Sequence, residues 1–427
     1  MGTLTPPELP DHLPRNRVDQ DAYAVCQRLT EAGFTTYLVG GCVRDILLER
    51  HPKDFDVGTL ATPQEVRKLF RNCRIIGRRF KLAHVVFGAK IIEVATFRGT
   101  VDLDSEDDGD PLIRSANNFG TPEEDAIRRD FTINALFYDP VNRQIFDHVG
   151  GYKDLLARTL RTIGPAEVRF REDPVRILRA VKFASRLGFD LANETRQAMT
   201  DVAIDIQKCS VPRVTEEIYR LAESGHARGA FELMYELNIL PILLPEISAH
   251  IDADRDDYLR FLGYLDDLRA AHGALPRDFV LAALYYPLAL RVLAAQFVEA
   301  GPGWGRVVED WFHPIGVRMH IAVKHRHRLR ALVNLVGRFM SPTKRLRRHR
   351  LGHHDQRALP QALSLLRLHH RTYGGVAEAY EEWREFAERR QITWTPVSAP
   401  HGMSDTDENH GNRRFRSRRR GGRQRRR

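Results

Sequence analysis

Asp54 and Asp56 stand two residues apart, with Phe55 between them. On a strand, residues two apart project to one face, so the two carboxylates would sit side by side while Phe55 turns into the core. Paired carboxylates attract divalent metal. A two-metal phosphoryl-transfer centre uses such ligands to hold Mg²⁺ ions, one activating an attacking hydroxyl and the other neutralising a triphosphate. An isolated pair of this kind is more often a solvated turn, so the surroundings decide. Ahead of it lies Gly40-Gly41-Cys42-Val43-Arg44-Asp45, at a strand-to-helix junction. Glycines there let the backbone approach a phosphate, the helix start offers free amides, and Arg44 adds a charged fork. No Gly-Lys-Ser/Thr follows, which argues against a P-loop ATPase. Glu93, with Arg98 nearby, would bring a third carboxylate to the same edge; taken alone it reads as a surface acid.

Two further clusters carry charge into helix-compatible sequence. In residues 124–136, Glu124, Asp125, Arg128, Arg129 and Asp130 run into an apolar stretch, so that Asp130 and Asn134 would share a helix face one turn apart. The plainer reading of Asp130 is a helix cap. In residues 172–182, Asp173 followed by Pro174 is a strong helix start, and Arg176, Arg179 and Lys182 recur every third residue. Glu172 and Arg176 alone would be an ordinary intrahelical salt bridge.

The elements that must position these residues are mixed in the first 150 positions. Residues 18–32 have helical spacing closed by Gly33, 36–39 form a short strand that Gly40-Gly41 breaks, 43–49 look helical, and 55–57, 85–87 and 91–97 are strand-like. Residues 102–110, with six acids and one Gly, read as a flexible surface excursion. From about residue 155 the periodicity turns helical, over 173–187, 211–224, 229–237, 257–270 and 279–299. Residues 324–350 concentrate bases and histidines around the apolar stretch 331–336 and read as a basic helix pair. Residues 1–17 read as an unfolded lead-in and 396–427 as disordered.

Composition narrows the class. At 427 residues, 42% hydrophobic and 29% charged, the chain can build a real core of two to four domains, which excludes wholesale disorder and collagen-like or disulfide-scaffold classes. The net charge is +10, and residues 413–427 alone carry ten Arg and no acid, so the rest of the chain is balanced. Such a tail binds polyanions without a fold, by releasing counterions; RNA, DNA and anionic lipid are its candidate partners. Cys26, Cys42, Cys73 and Cys209 lie far apart, which suggests neither a zinc knuckle nor a disulfide framework and fits a reducing cytoplasm. An acidic, proline-rich start and an apolar run (279–290) interrupted by Pro287 predict neither a signal peptide nor a membrane span.

The run Gly-Gly-X-Val-Arg-Asp, then Lys-Asp-Phe-Asp-Val, Glu-Val-Ala-Thr-Phe-Arg, Arg-Arg-Asp-Phe-Thr-Ile-Asn-Ala-Leu-Phe-Tyr-Asp and Arg-Glu-Asp-Pro-Val-Arg-Ile-Leu-Arg-Ala-Val-Lys-Phe-Ala resembles the class II nucleotidyltransferases, that is, the bacterial poly(A) polymerases and CCA-adding enzymes. The likeness covers roughly residues 36 to 190. It implies an α+β fold: a polymerase beta-like nucleotidyltransferase palm with a mixed sheet, followed by an all-helical neck, body and C-terminal region. The implied domains are a palm at 18–154, a neck at 155–230, a helical body and basic C-terminal domain at 231–395, and an Arg-rich RNA-binding tail at 396–427. By resemblance, Asp54 and Asp56 are the metal-binding pair and Glu93 the third acid. Gly40, Gly41 and Arg44 contact the triphosphate, while Arg129, Asp130 and Asn134 contact ribose and nucleotide, Asp130 counting among the catalytic acids. Asp173, Arg176 and Arg179 read the base; Lys182 stands where many relatives have Arg.

Residues 75–85 are similar to the segment that marks the poly(A) polymerase branch, and the Arg-rich end, with Arg413, Arg414, Arg416, Arg418, Arg419 and Arg420, also looks like that branch and would hold RNA. The resemblance thus implies Mg²⁺-dependent (two ions), template-independent transfer of AMP from ATP to RNA 3′ ends, mRNA, decay intermediates and tRNA among them, in the cytoplasm, with the RNA-decay machinery as a further partner. A CCA-adding enzyme is the alternative, and a catalytically dead RNA-binding adaptor the remote one. His353-His354-Asp355 suggests an HD phosphohydrolase, but no other metal-ligand spacing accompanies it.

Overall fold

The computed structural model describes residues 9–77, 81–99, 119–296, 298–301, 303–341 and 352–392. Residues 102–110, 342–350 and 396–427, and with them the six tail arginines, lie outside the described residues.

The N-terminal part is a seven-stranded mixed sheet in the order β3-β4-β5-β2-β1-β6-β7. Its strands are β1 (Thr36–Val39), β2 (Asp56–Thr59), β3 (Cys73–Ile76), β4 (Leu82–Phe87), β5 (Lys90–Thr96), β6 (Leu136–Asp139) and β7 (Gln144–Asp147). Only β2 and β5 run parallel; every other neighbouring pair is antiparallel. Alternation sends Leu38, Val57, Ala83, Val85, Ile92 and Val94 into the main core. The opposite face carries Val39, Phe97 and Phe137, around which Tyr37 and Phe146 pack ring against ring. Gly58 is required there, because a Cβ would lie 2.4 Å from the Phe97 ring.

Helix Gln20–Glu31 starts where Asp19 accepts hydrogen bonds from the amides of Asp21 and Ala22, and its Val25, Cys26 and Leu29 enter the same core. Leu13, 1% exposed, is packed there too, so the lead-in expected to be unfolded is anchored over the part described.

Beyond the sheet the chain is helical, apart from the short parallel pair β8 (Thr159–Leu160) and β9 (Asp190–Leu191). Helix Val175–Leu187 ties the two parts together: its apolar stripe, Ile177, Leu178, Val181 and Phe183 included, joins the main core, and Gly188 at φ 69° ends it in a left-handed cap. The helical reading holds with one change. The 257–270 segment belongs to a longer helix, Pro245–His272, kinked at Asp254. Helix Arg277–Ala295 holds Pro287 inside it, in keeping with the helical spacing of 279–299. By length and composition it is the one described helix able to cross a bilayer, yet two-thirds of its apolar window is buried against the rest of the protein. That burial is the signature of a core helix.

A second expectation changes inside the sheet domain. The apolar stretch after Asp130 is a short 3₁₀ turn, Thr132–Asn134, leading into β6, whose four residues are all buried. A strand covered on both faces reads as a continuous apolar run and cannot be told from a helix by periodicity.

Candidate active site

The paired acids sit where strand ends meet. Val39, the last residue of β1, pairs with Asp56, the first of β2, and Asp56 lies in register with Glu93 on the parallel neighbour β5. Glu93 is in turn in register with His84 on β4. Because Val57, Ile92, Val94, Ala83 and Val85 take the core face, Asp56, Glu93 and His84 share the opposite one. Asp54 precedes the strand instead of lying on it, and its side chain is 40% exposed beside Lys53. The two aspartates therefore bracket the strand entry, one in the loop and one on the sheet. Asp56 is felt by its neighbour Cys42, whose thiol is pushed up to about 12 first by burial and then by the Asp56 carboxylate. His84 Nε2 lies 3.6 Å from a Glu93 carboxylate oxygen.

Gly40 turns the chain out of β1 at φ 72° and ψ −121°, a conformation reserved for glycine, and a Cβ there would stand 2.8 Å from an Arg129 guanidinium nitrogen. Arg129 is fixed from three sides. It donates to the Asn134 carbonyl at 3.1 Å and to Asp125 Oδ2 at 2.9 and 3.1 Å, and it lies over the Phe137 ring. The amides after Gly40 open the short helix Gly41–Leu47.

Arg44 departs from its expected place. It is 1% exposed, bonds Asp45 through Nε and Nη2, donates from Nη1 to Asn134 Oδ1 at 2.5 Å, and stacks on Phe183. The guanidinium offered by the sequence to a triphosphate is here a buried brace between the glycine turn and the neck helix. Its partner lies 90 positions away, where no local pattern points.

Asp130 and Asn134 do come together, through the 3₁₀ turn and not through a helix: Asn134 Nδ2 donates to Asp130 Oδ1 at 3.0 Å. Arg179 closes on the other oxygen with Nε at 2.9 Å and Nη2 at 2.7 Å. Burial raises the Asp130 carboxyl, but Arg179, Asn134 and the Phe131 amide outweigh it and hold the group below its ordinary value. Asp173 accepts from the Val175 amide at the start of the neck helix and from Arg213 at 2.6 Å. Arg176 donates to the Arg169 carbonyl at 2.9 Å and to Glu172 at 3.0 Å. Lys182 is buried 4.0 Å from Glu217.

Sequence reasoning passed over three of these residues. Arg169 holds the Arg128 and Arg129 carbonyls at 2.8 and 2.9 Å, Arg213 holds Asp173, and His84 faces Glu93. Asp125 was visible as an i, i+4 partner of Arg129; the other three depend on tertiary neighbours.

The donor set fits a hard divalent cation, being all carboxylate oxygen from Asp54 and Asp56 with Glu93 alongside. Among the described residues no three such side chains converge closely enough to hold a metal by themselves. Mg²⁺ commonly binds through one or two carboxylates and takes its remaining ligands from substrate phosphates and water.

Two family models match this scaffold: the Poly A polymerase head domain over residues 36–161 and the probable RNA and SrmB-binding site of polymerase A over residues 188–251. Poly(A) polymerase I of Escherichia coli O6:H1 is 45% identical over 248 residues, 57% of this chain and 53% of that protein. The CCA-adding enzyme of Lactobacillus helveticus is 39% identical over 221 residues, 51% of this chain and 53% of that one. The crystal structure of the Bacillus stearothermophilus CCA-adding enzyme in complex with CTP superposes with a TM-score of 0.63 at 28% identity, over 87% of this chain and 82% of the other. The fold is that of a nucleotidyltransferase head followed by a helical region. These matches support the class II nucleotidyltransferases, the family of poly(A) polymerases and CCA-adding enzymes, as the proteins this chain is similar to. It spans about half the length of these curated relatives.

Proposed function

We propose that the protein is a template-independent adenylyltransferase that adds AMP from ATP to RNA 3′ ends and so builds poly(A). The observation that carries this reading is the register of Asp56 with Glu93 across parallel strands, with Asp54 at the strand entry and the glycine turn beside it. Bound at Asp54 and Asp56, Mg²⁺ would lower the pKa of the RNA 3′-hydroxyl and offset triphosphate charge. The 3′-oxygen attacks the α-phosphorus, the bond between that phosphorus and the α–β bridging oxygen breaks, and pyrophosphate leaves. Gly40 and Gly41 let the backbone approach the phosphates, the Asp130–Asn134 pair holds the ribose side, and Asp173 with Arg176 faces the base.

Adenylate alone is favoured over the CCA sequence by the greater identity to poly(A) polymerase I than to the CCA-adding enzyme, and by residues 75–85. The likeness to the CTP-bound structure over most of the chain supports the second reading, a CCA-adding enzyme. Four free thiols accord with work in the cytoplasm. The test is to incubate the purified protein with Mg²⁺, each NTP singly, and either a generic oligoribonucleotide or a tRNA lacking its terminal CCA. A long ladder with ATP alone on the generic RNA supports poly(A) synthesis. Addition that needs CTP and stops after three nucleotides on tRNA refutes it.

A further inference from the structure

A cleft of about 260 Å³ opens between helices Trp304–Arg318 and Val323–Met340, outside both segments matched by the family models. Its walls are apolar: Val308, Phe312 and Leu329 are buried in the core, and Val323 lies at the mouth. Its rim is not. Arg326, Arg330, His313 and His327 line it against a single acid, Glu309, which Arg330 already engages at 2.5 Å. Arg326 lies across the backbone of Gly316, where a Cβ would come within 2.4 Å of its Cδ, and reaches His313 at 3.3 Å. Its buried Nε–H has no acceptor among the described residues. A buried donor left unmatched costs free energy, so the Arg326 head is not fully satisfied by its protein neighbours.

We propose that this cleft is an anchoring site for one unstacked nucleotide of the bound RNA, away from the growing 3′ end. The inference rests on the reading of RNA as substrate. The volume admits a single aromatic ring, the apolar walls suit a base face, and guanidinium planes stack on bases as readily as they pair with phosphates. The excess of cation on the rim suits a phosphate-bearing ligand and disfavours a neutral peptide. A nucleotide held here would keep the RNA on the enzyme between additions while the 3′ end is released and reset.

The experiment compares the full chain with the double variant Arg330→Gln and His327→Gln, whose side chains are 51% and 63% exposed, so that folding is not at stake. Arg326→Gln is tested separately, with thermal melting alongside. A control variant, Arg384→Gln with Arg389→Gln, removes exposed positive charge elsewhere. RNA affinity at several salt concentrations, extension of primers of 6 and 20 adenylates, and photocrosslinking of a 4-thiouridine-substituted oligoadenylate are measured. We expect the double variant to weaken binding of the 20-mer on the order of tenfold and to shorten products per encounter. It should leave the rate at saturating 6-mer unchanged, and crosslinks should map to 304–330. AMP at millimolar concentration should not displace the crosslink. Equal losses in the control, or wild-type affinity in the double variant, overturn the proposal. Displacement by AMP overturns the RNA assignment in favour of a free mononucleotide. A wild-type protein that extends no RNA fails the functional reading instead.

Discussion

Removing Arg179 tests whether the neck helix is joined to the head by charge. Arg179 and Asp130 are 12% and 9% exposed, and two hydrogen bonds at 2.9 and 2.7 Å join them. Breaking a buried pair from one side strands the other charge and costs roughly 3–5 kcal/mol. At roughly 1 °C per kcal/mol for a chain of 427 residues on one continuous core, Arg179→Ala should lower the melting temperature by about 3–6 °C. The loss should depend on pH with a definite sign. In the wild type the Asp130 carboxyl is held down, so its contribution is present above the unfolded carboxyl value, about 3.9, and fades as pH falls through the lower folded one. Without Arg179, burial dominates and the group is raised. The deficit is then largest near neutral pH and shrinks on acidification, as Asp130 takes up a proton. Asp130→Asn in the same chain should recover much of the loss, because an amide needs no counter-charge. Melting curves from pH 4 to 8 for both single variants, the double variant and wild type give the cycle. A drop under about 1 kcal/mol, or no rescue by Asp130→Asn, would refute the pairing as a structural link. Selectivity among nucleotides that changes without a change in melting would return Arg179 to base reading.

Asp54→Ala and Asp56→Ala should each abolish nucleotide addition while leaving the melting temperature within a few degrees, since neither empties a core site; more than a few per cent activity in both sinks the metal assignment. Gly40→Ala forces a side chain into a glycine-only conformation and against Arg129, at a strain of about 1–3 kcal/mol. It should raise KM for ATP as well as lower the melting temperature, and unchanged values of both would show that the turn is permissive. Arg176→Ala and Arg213→Ala should relax the preference for ATP, by roughly 1–3 kcal/mol if base-edge hydrogen bonds behave as they do in DNA readout; equal loss for every NTP would reduce both residues to structural support. Deleting residues 413–427 should weaken RNA binding and flatten its salt dependence with ATP affinity untouched, and identical slopes would show that the tail does not touch RNA.

What the sequence exposed was whatever is set by near neighbours. The glycine break after β1 and the proline-led start of helix Val175–Leu187 follow from spacing of one to four residues and stand where they are expected, whereas Asp54 lies in the loop ahead of β2 and not beside Asp56 on the strand. The apolar stretch after Asp130 reads as helix-compatible because the strand it leads into is covered on both faces, whereas the helical spacing of 279–299 survives Pro287 because a helix buried in its neighbours tolerates a missing amide. Arg44 was assigned to substrate because a guanidinium beside a glycine turn looks exposed until Asn134 and Phe183 are brought to it.

Those same long-range contacts explain how the site is held. Arg186 lies 3.5 Å from Asp45, Asp45 binds Arg44, Arg44 binds Asn134, Asn134 binds Asp130, and Asp130 binds Arg179. The chain of charges begins and ends on one helix, Val175–Leu187, with Arg179 and Arg186 two turns apart. The glycine turn and the Asp130 loop are thereby tied to the same rigid element that carries Arg176. A shift of the neck helix must move both loops with it, since each link is short and most are buried. The glycine turn proposed to admit the phosphates and Arg176, proposed to read the base, are therefore one mechanical unit, and a substitution at any link should disturb both together.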